Sequence, residues 1–220
     1  MPYFKNDDVN ILFIHIPKTG GTSIENYFSS KFNIKLNNTS LFGYIENNNL
    51  KNIKINSSLQ HITYKKIVEY NKEFDINYNN IKIITIVRNP YERIISDLFY
   101  FSEINVNFSK EDVFNIINNR YLVCDNHNIS QNYYDNHNIP QHYFIIDNDK
   151  EIIKNINILK TETLKTDMNN LGYTEFNNND NVNINKVNYY NYLNNKSIEL
   201  INNFYHLDFI LFNYDKILTY

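Results

Sequence analysis

Two runs of β-branched and apolar residues, Val9–Ile16 (VNILFIHI) and Asn80–Val87 (NIKIITIV), each break directly into a turn and the start of a helix. A strand that is apolar almost throughout has no face to offer to water, so both runs belong inside a parallel sheet covered on both sides. The first continues into Pro17-Lys18-Thr19-Gly20-Gly21 and then Thr22-Ser23-Ile24-Glu25, where Thr-x-x-Glu reads as a capping box and Ile24, Tyr27 and Phe28 fall at helical spacing. The second ends in Arg88-Asn89-Pro90, with Asn89 as cap, Pro90 at the first helical position and Glu92 three residues past the cap, opening a helix through about Phe101.

The remaining segments are shorter or less periodic. Residues 33–57 form an Asn-rich excursion, Ser58–Tyr64 a short extended piece, and Lys65–Asn71 a helix. Ser109–Asn119 reads as a helix capped by Ser109 with Glu111 and Asp112 in its first turn. Residues 120–141 read as a loop with a near-repeat, DNHNI at 125–129 and 135–139, too short for a repeat architecture. Short strands are expected at Tyr143–Ile146 and Ile156–Leu159, then a helix over 161–171 stopped by Gly172, a loop at 177–188, a helix over 195–206 and an apolar tail over 209–214. Alternating strands and helices give an α/β fold: one domain over 1–220 whose central, mainly parallel β-sheet is flanked by helices.

Composition narrows the function. A net charge of −3 and a pI near 6.1 lack the basic footprint of a nucleic-acid binder or a polybasic membrane-surface protein. The chain opens MPYFKNDDVN and its first apolar run begins at Ile11, so neither a signal peptide nor a membrane span is expected, and the expected location is the cytoplasm. The single cysteine, Cys124, excludes an intrachain disulfide. With 44 Asn, 33 Ile and no Ala, the composition is that of AT-rich coding, which makes the scarce residues informative. Of 4 Gly, 4 Pro and 3 Arg, the pairs Gly20 and Gly21, Pro17 and Pro90, and Arg88 and Arg93 all fall within the two strand-to-helix junctions.

A buried strand feeding a Gly-rich turn and a helix N-terminus presents backbone N–H groups and the positive end of the helix dipole to an anion. Lys18 adds a charge, and Thr19, Thr22 and Ser23 add hydroxyls. The P-loop of kinases, G-x-x-x-x-G-K-[ST], fails here: aligning Gly21-Thr22-Ser23 on its last three positions puts Thr22 where the lysine belongs, and the next buried strand ends in Arg88 rather than a Mg²⁺-holding Asp.

The stretch Phe13-Ile14-His15-Ile16-Pro17-Lys18-Thr19-Gly20-Gly21-Thr22-Ser23 resembles the phosphosulfate-binding loop of the PAPS-dependent sulfotransferases, in the branch of the heparan and chondroitin sulfate O-sulfotransferases. The resemblance implies that Lys18, Thr19, Gly20, Gly21, Thr22 and Ser23 hold the 5′-phosphosulfate, with Lys18 near the bridging oxygen. Ile86-Val87-Arg88-Asn89-Pro90 to Ser96 is similar to the family's 3′-phosphate motif, with Asn89 where the family usually has Asp. A guanidinium fork at Arg88 suits a phosphate dianion, and the Ser96 hydroxyl adds a donor. Arg93 reads as a surface salt bridge with Glu92 or Asp97.

Transfer of a sulfuryl group to an alcohol requires in-line attack and a base for the hydroxyl proton. His61 in Leu59-Gln60-His61-Ile62-Thr63-Tyr64 resembles the His-x-x-[Tyr/Phe] segment of the 2-O-sulfotransferases, where that histidine is the base; with an unperturbed pKa near 6.5, activity would fall on acidification through that value. His15, on the buried strand just before the loop, reads as a packed residue or one that supports the site from behind. His137 to Gln141 is similar to a family segment His-x-x-Pro-Gln lining the acceptor side, so His137 and Gln141 are the acceptor-side candidates. Leu159 to Leu164 and Ile198 to Tyr214 also resemble family landmarks, and 177–188, with Lys186, stands where relatives place a flap over the nucleotide. Cys124, His127, His137 and His142 reproduce no known zinc finger, and no metal is expected. The expected function is transfer of a sulfuryl group from PAPS to a hydroxyl-bearing acceptor, a carbohydrate above all; the alternatives are a small-molecule kinase of P-loop type and a catalytically inactive nucleotide-binding interaction module.

Overall fold

In the computed structural model, residues 1–45, 53, 55, 57–126, 133–177 and 187–219 are described. The described sheet has four strands in the order β1 (Tyr3–Lys5), β2 (Asn10–Ile14), β3 (Lys82–Val87) and β4 (Ile156–Lys160). β2 pairs with β3 in parallel, Ile14 opposite Thr85, and β3 pairs with β4 in parallel, Val87 opposite Lys160. Thr85 adds a rung by donating its hydroxyl to Ile14 O at 2.8 Å. β1 is antiparallel to β2, Phe4 opposite Ile11. No sequence signal marks this edge strand ahead of the run at Ile11, yet Met1 and Phe4 are fully buried.

The two interior strands bury both faces, as their composition requires. Leu12, Ile14, Ile83 and Val87 pack with Leu59, Ile62 and Phe144 on one side. Ile11, Phe13, Ile84 and Ile86 pack on the other against Ile24 and Phe28 of α1 (Gly21–Phe32) and Leu164 and Met168 of α6 (Leu164–Asn170). A third cluster joins α4 (Pro90–Tyr100) and α5 (Lys110–Asn126) to α7 (Asn195–Phe204) and α8 (His206–Leu211) through Ile94, Leu98, Val113, Ile117, Ile201 and Phe209. Fully burying an aromatic such as Phe13 or Phe28 contributes about 2–3 kcal/mol each.

Local signals hold in part. α4 begins as its sequence dictates, with Pro90 in the first turn and Asn89 Oδ1 accepting from Tyr91 N at 3.0 Å. Gly172 stands at φ +90°, past the end of α6. The Thr22-x-x-Glu25 capping box does not form: α1 starts two residues earlier than a Thr22 cap would set it, its cap is Gly20 in the left-handed region at φ 90°, and Glu25 is buried under a histidine. Ser58–Tyr64 is a 3₁₀ turn at Leu59–His61 rather than extended, followed by α2 (Tyr64–Glu69) and α3 (Asn71–Phe74). Tyr143–Ile146 is no strand either; a 3₁₀ turn covers Gln141–Phe144, and only Ile146 makes a lone bridge, to Ile152. The C-terminal helix breaks at Tyr205 into α7 and α8, so Phe209 is helical rather than part of a tail. The loop at 178–186, including Lys186, and His127 lie outside the described residues.

Candidate active site

Because β2 and β3 are parallel neighbours, the segments that follow them open at the same sheet edge, where α/β sheets bind ligands. Arg88 Nη1 reaches the carbonyl of Lys18 at 3.4 Å, so the two motifs, 70 positions apart in sequence, touch. Thr161, just beyond β4, donates its hydroxyl to Thr19 O at 2.6 Å and Val87 O at 3.2 Å, which ties both strand ends to a third.

The first loop turns tightly: Lys18 has φ 65° and Gly20 φ 90°. Thr19 is fully buried and gives its hydroxyl to Ile16 O at 2.8 Å, so that side chain shapes the loop from within. Thr22 is exposed, Ser23 is buried, and the first turn of α1 carries no acidic residue that would compete with an anion for the helix N-terminus. Lys18 Nζ lies 4.1 Å from the centroid of the Tyr100 ring. Burial lowers its pKa, Asp97 opposes that shift and Arg88 adds to it. The donor set of backbone N–H groups, one lysine, one arginine and hydroxyls fits a phosphosulfate.

Arg88 sits half-buried at the end of β3 with its guanidinium on Glu92 (Nη2 to Oε2, 3.0 Å) and 5.3 Å from the Tyr189 ring. Ser96 is two turns further along α4, half-buried. Gln141 does not face an acceptor: it is fully buried, its Oε1 accepts from Arg88 N at 2.8 Å and its Nε2 donates to Arg88 O at 2.9 Å, so it clamps the backbone that carries Arg88. Asp208 of α8 accepts from Gln141 N and holds His142 Nδ1 at 2.6 Å.

Arg93 overturns its expected place on the surface. It is 2 % exposed and donates to three carbonyls, Pro17 at 2.9 Å, Ile139 at 3.1 Å and His137 at 3.0 Å, bracing the loop against the segment that carries His137. A surface ion pair would be worth less than about 1 kcal/mol. Arg93→Met, which strips three buried acceptors of a charged donor, is expected to cost roughly 3–5 kcal/mol of stability in a urea titration, whereas a loss under about 1 kcal/mol would return it to the surface role.

Three imidazoles stand in series, and each carries a carboxylate on Nδ1. His15 meets Glu25, His61 meets Asp135 and His137 meets Asp97, all at 2.6 Å. The rings contact edge to face, His15 to His61 with centroids 4.9 Å apart and His61 to His137 at 5.2 Å, and Tyr100 stacks on His137 at 5.6 Å. The series therefore ends at the aromatic ring that carries Lys18.

Burial drives the pKa of His61 down to about 3, against the opposing pull of Asp135. Burial likewise lowers that of His137. On the Asp135 carboxyl burial acts upward, but the hydrogen bonds from His61 and from Ser58 N and Oγ leave it below its ordinary value. An ionised Asp135 requires a donor, so Nδ1 of His61 carries the hydrogen and Nε2 keeps its lone pair. Asn136 Nδ2 fixes the backbone by donating to His61 O at 2.8 Å.

Among the described residues, His61, Asp135 and His137 are a group whose ligand atoms, all within 4.8 Å of one another, could hold a metal ion. Both Asp135 oxygens already accept hydrogen bonds, from Ser58 N and Oγ and from His61, so a cation would compete with the orientation of His61. His142 stands outside that group, its Nδ1 held by Asp208 at 2.6 Å.

Sequence reading missed Glu25, Asp97, Asp135, Arg93 and Thr161 as parts of this site. For α4 a signal existed: Arg93, Asp97 and Tyr100 recur at i, i+4 and i+7, one helix face.

A parallel-sheet edge with an anion loop, a second cationic strand end and buried carboxylate-held histidines defines an α/β group-transfer enzyme. Residues 1–215 match the sulfotransferase family, and the chain belongs to it. The family uses PAPS as its sulfuryl donor. No curated protein and no solved structure matches the chain. Among the described residues no helix is long and apolar enough to cross a membrane.

Proposed function

We propose that this sulfotransferase moves the sulfuryl group of PAPS to a sugar hydroxyl, with His61 as the base. The observation that carries the reading is the buried, neutral His61 whose Nδ1 is fixed by Asp135 while its ring packs in the series that leads through His137 and Tyr100 to Lys18. In that arrangement the acceptor oxygen attacks sulfur as its proton passes to Nε2 of His61, and the bond from sulfur to the bridging oxygen breaks with the charge developing there facing Lys18. Asp135 keeps the productive tautomer and stabilises the imidazolium that forms. His137 stands beside the base on the acceptor side. The Lys18 to Ser23 loop holds the 5′ end of the donor, and Arg88 with Ser96 reads its 3′-phosphate. The carbohydrate acceptor rests on the likeness of the loop to the heparan and chondroitin sulfate O-sulfotransferases. Incubation with labelled PAPS and a panel of glycans, phenols and peptides tests it: label on a glycan supports the reading, and label on a phenol or a tyrosine peptide alone overturns the sugar acceptor.

The 3′-phosphate role gives a separate result. Arg88→Ala is expected to weaken binding of adenosine 3′,5′-bisphosphate by about 2–3 kcal/mol in calorimetry and to leave adenosine 5′-phosphate nearly unaffected. Equal losses for the two nucleotides would place Arg88 elsewhere.

A further inference from the structure

Gly21 is not required by its backbone, which lies outside the left-handed region that Gly20 occupies. It is required by a neighbour. A Cβ built on Gly21 would stand 2.3 Å from both Cδ2 and Nε2 of His15, a distance no side chain tolerates. The Cδ2–Nε2 side of the His15 ring therefore lies directly against the backbone of the phosphosulfate loop at the first residue of α1.

The same ring is pinned from two other sides. Its Nδ1 is held by Glu25, four residues on in α1, with the two side chains 6 % and 3 % exposed, and its edge meets His61 at 4.9 Å. Burial acts on the Glu25 carboxyl upward, but its interaction with His15 leaves it lowered, so a carboxylate meets Nδ1 of His15 at 2.6 Å and clamps the ring inside the protein. One rigid imidazole thus spans the loop and the base.

We infer that His15, locked by Glu25, is a positioning residue that fixes the base His61 at a set distance from the loop, and that the second glycine of the loop exists to admit it. The inference rests on His61 and the loop serving as base and donor site. It assigns His15 no contact with the reacting atoms. A misplacement of a reacting group by an ångström costs about 100-fold in rate while leaving ligand contacts made elsewhere intact, and that separates positioning from bulk packing.

Three measurements test it. Gly21→Ala is expected to lower the melting temperature by roughly 5 °C, and His15→Ala to remove most of that loss in the double variant; an equal loss with and without His15 overturns the contact. In the wild type saturated with adenosine 3′,5′-bisphosphate, the ring resonances of His61 in NMR are expected to shift, and the shift to vanish in His15→Leu; a His61 ring that ignores the nucleotide, or that follows it equally in His15→Leu, overturns the coupling. Glu25→Gln keeps the shape of the clamp and covers the case in which His15→Leu does not fold. In turnover, His15→Leu and Glu25→Gln are expected to lower kcat by at least about 10-fold with nucleotide affinity within about 3-fold of wild type; parallel losses of kcat and affinity mark a merely structural role and overturn the inference. Absence of any nucleotide binding by the wild type would instead refute the proposed function, a result distinct from all of these.

Discussion

His61→Ala is expected to lower the rate of sulfuryl transfer by about 10²–10⁴ while affinity for PAPS stays within a few-fold of wild type, because in the proposed mechanism His61 acts on the acceptor and not on the nucleotide. The structure also corrects the pH dependence expected from an ordinary imidazole. Burial holds the His61 pKa at about 3, so kcat/KM is expected to show no acidic fall at 6.5 and to persist toward pH 5. A fall centred on 6.5 that disappears in a His61 variant would show instead that the ring is solvated in the working enzyme.

The same depression makes His61 a stability liability in acid. The unfolded chain takes up the proton near pH 6.5 and the folded chain refuses it until about pH 3, so between these values the unfolded state binds more protons. The wild type is thus expected to lose about 1.4 kcal/mol per pH unit below 6.5 relative to His61→Asn, measured by chemical denaturation at pH 7 and pH 5. Parallel stability curves for the two proteins would mean that the pKa is not lowered.

Lys18→Ala is expected to cut kcat by at least about 10²-fold, since under the proposed function it removes the formal charge that the loop offers to the bridging oxygen as negative charge develops there. Lys18→Arg keeps a cation beside the Tyr100 ring but replaces the compact ammonium with a planar fork, so it is expected to recover little. Binding of adenosine 3′,5′-bisphosphate should weaken far less than kcat. Unchanged turnover in Lys18→Ala would sink the assignment of the loop.

How much of this was legible beforehand differs from residue to residue. The strands Asn10–Ile14 and Lys82–Val87 could be read because burial on both faces leaves a continuous apolar run, which local composition records directly. The start of α4 was equally plain, since Asn89 and Pro90 act on their own neighbours. Thr22 and Glu25 show the opposite: the capping-box spelling was present, but a buried His15 ten residues before Glu25 took its carboxyl for a hydrogen bond, and a left-handed Gly20 made the side-chain cap unnecessary.

By itself, then, the sequence determined the α/β order of elements, the two junctions that carry Lys18 and Arg88, and His61 as a candidate base, because each depends on residues adjacent in the chain. Only the tertiary structure decided which partners those residues have. Asp135 reaches His61 across 74 positions, Arg93 reaches Pro17 across 76 and Thr161 reaches Thr19 across 142. Such contacts leave no periodicity to read, and they form because desolvated polar groups inside the fold must find partners wherever packing brings them. That is why Arg93 became a buried brace, Gln141 a clamp on Arg88, and His61 a neutral imidazole.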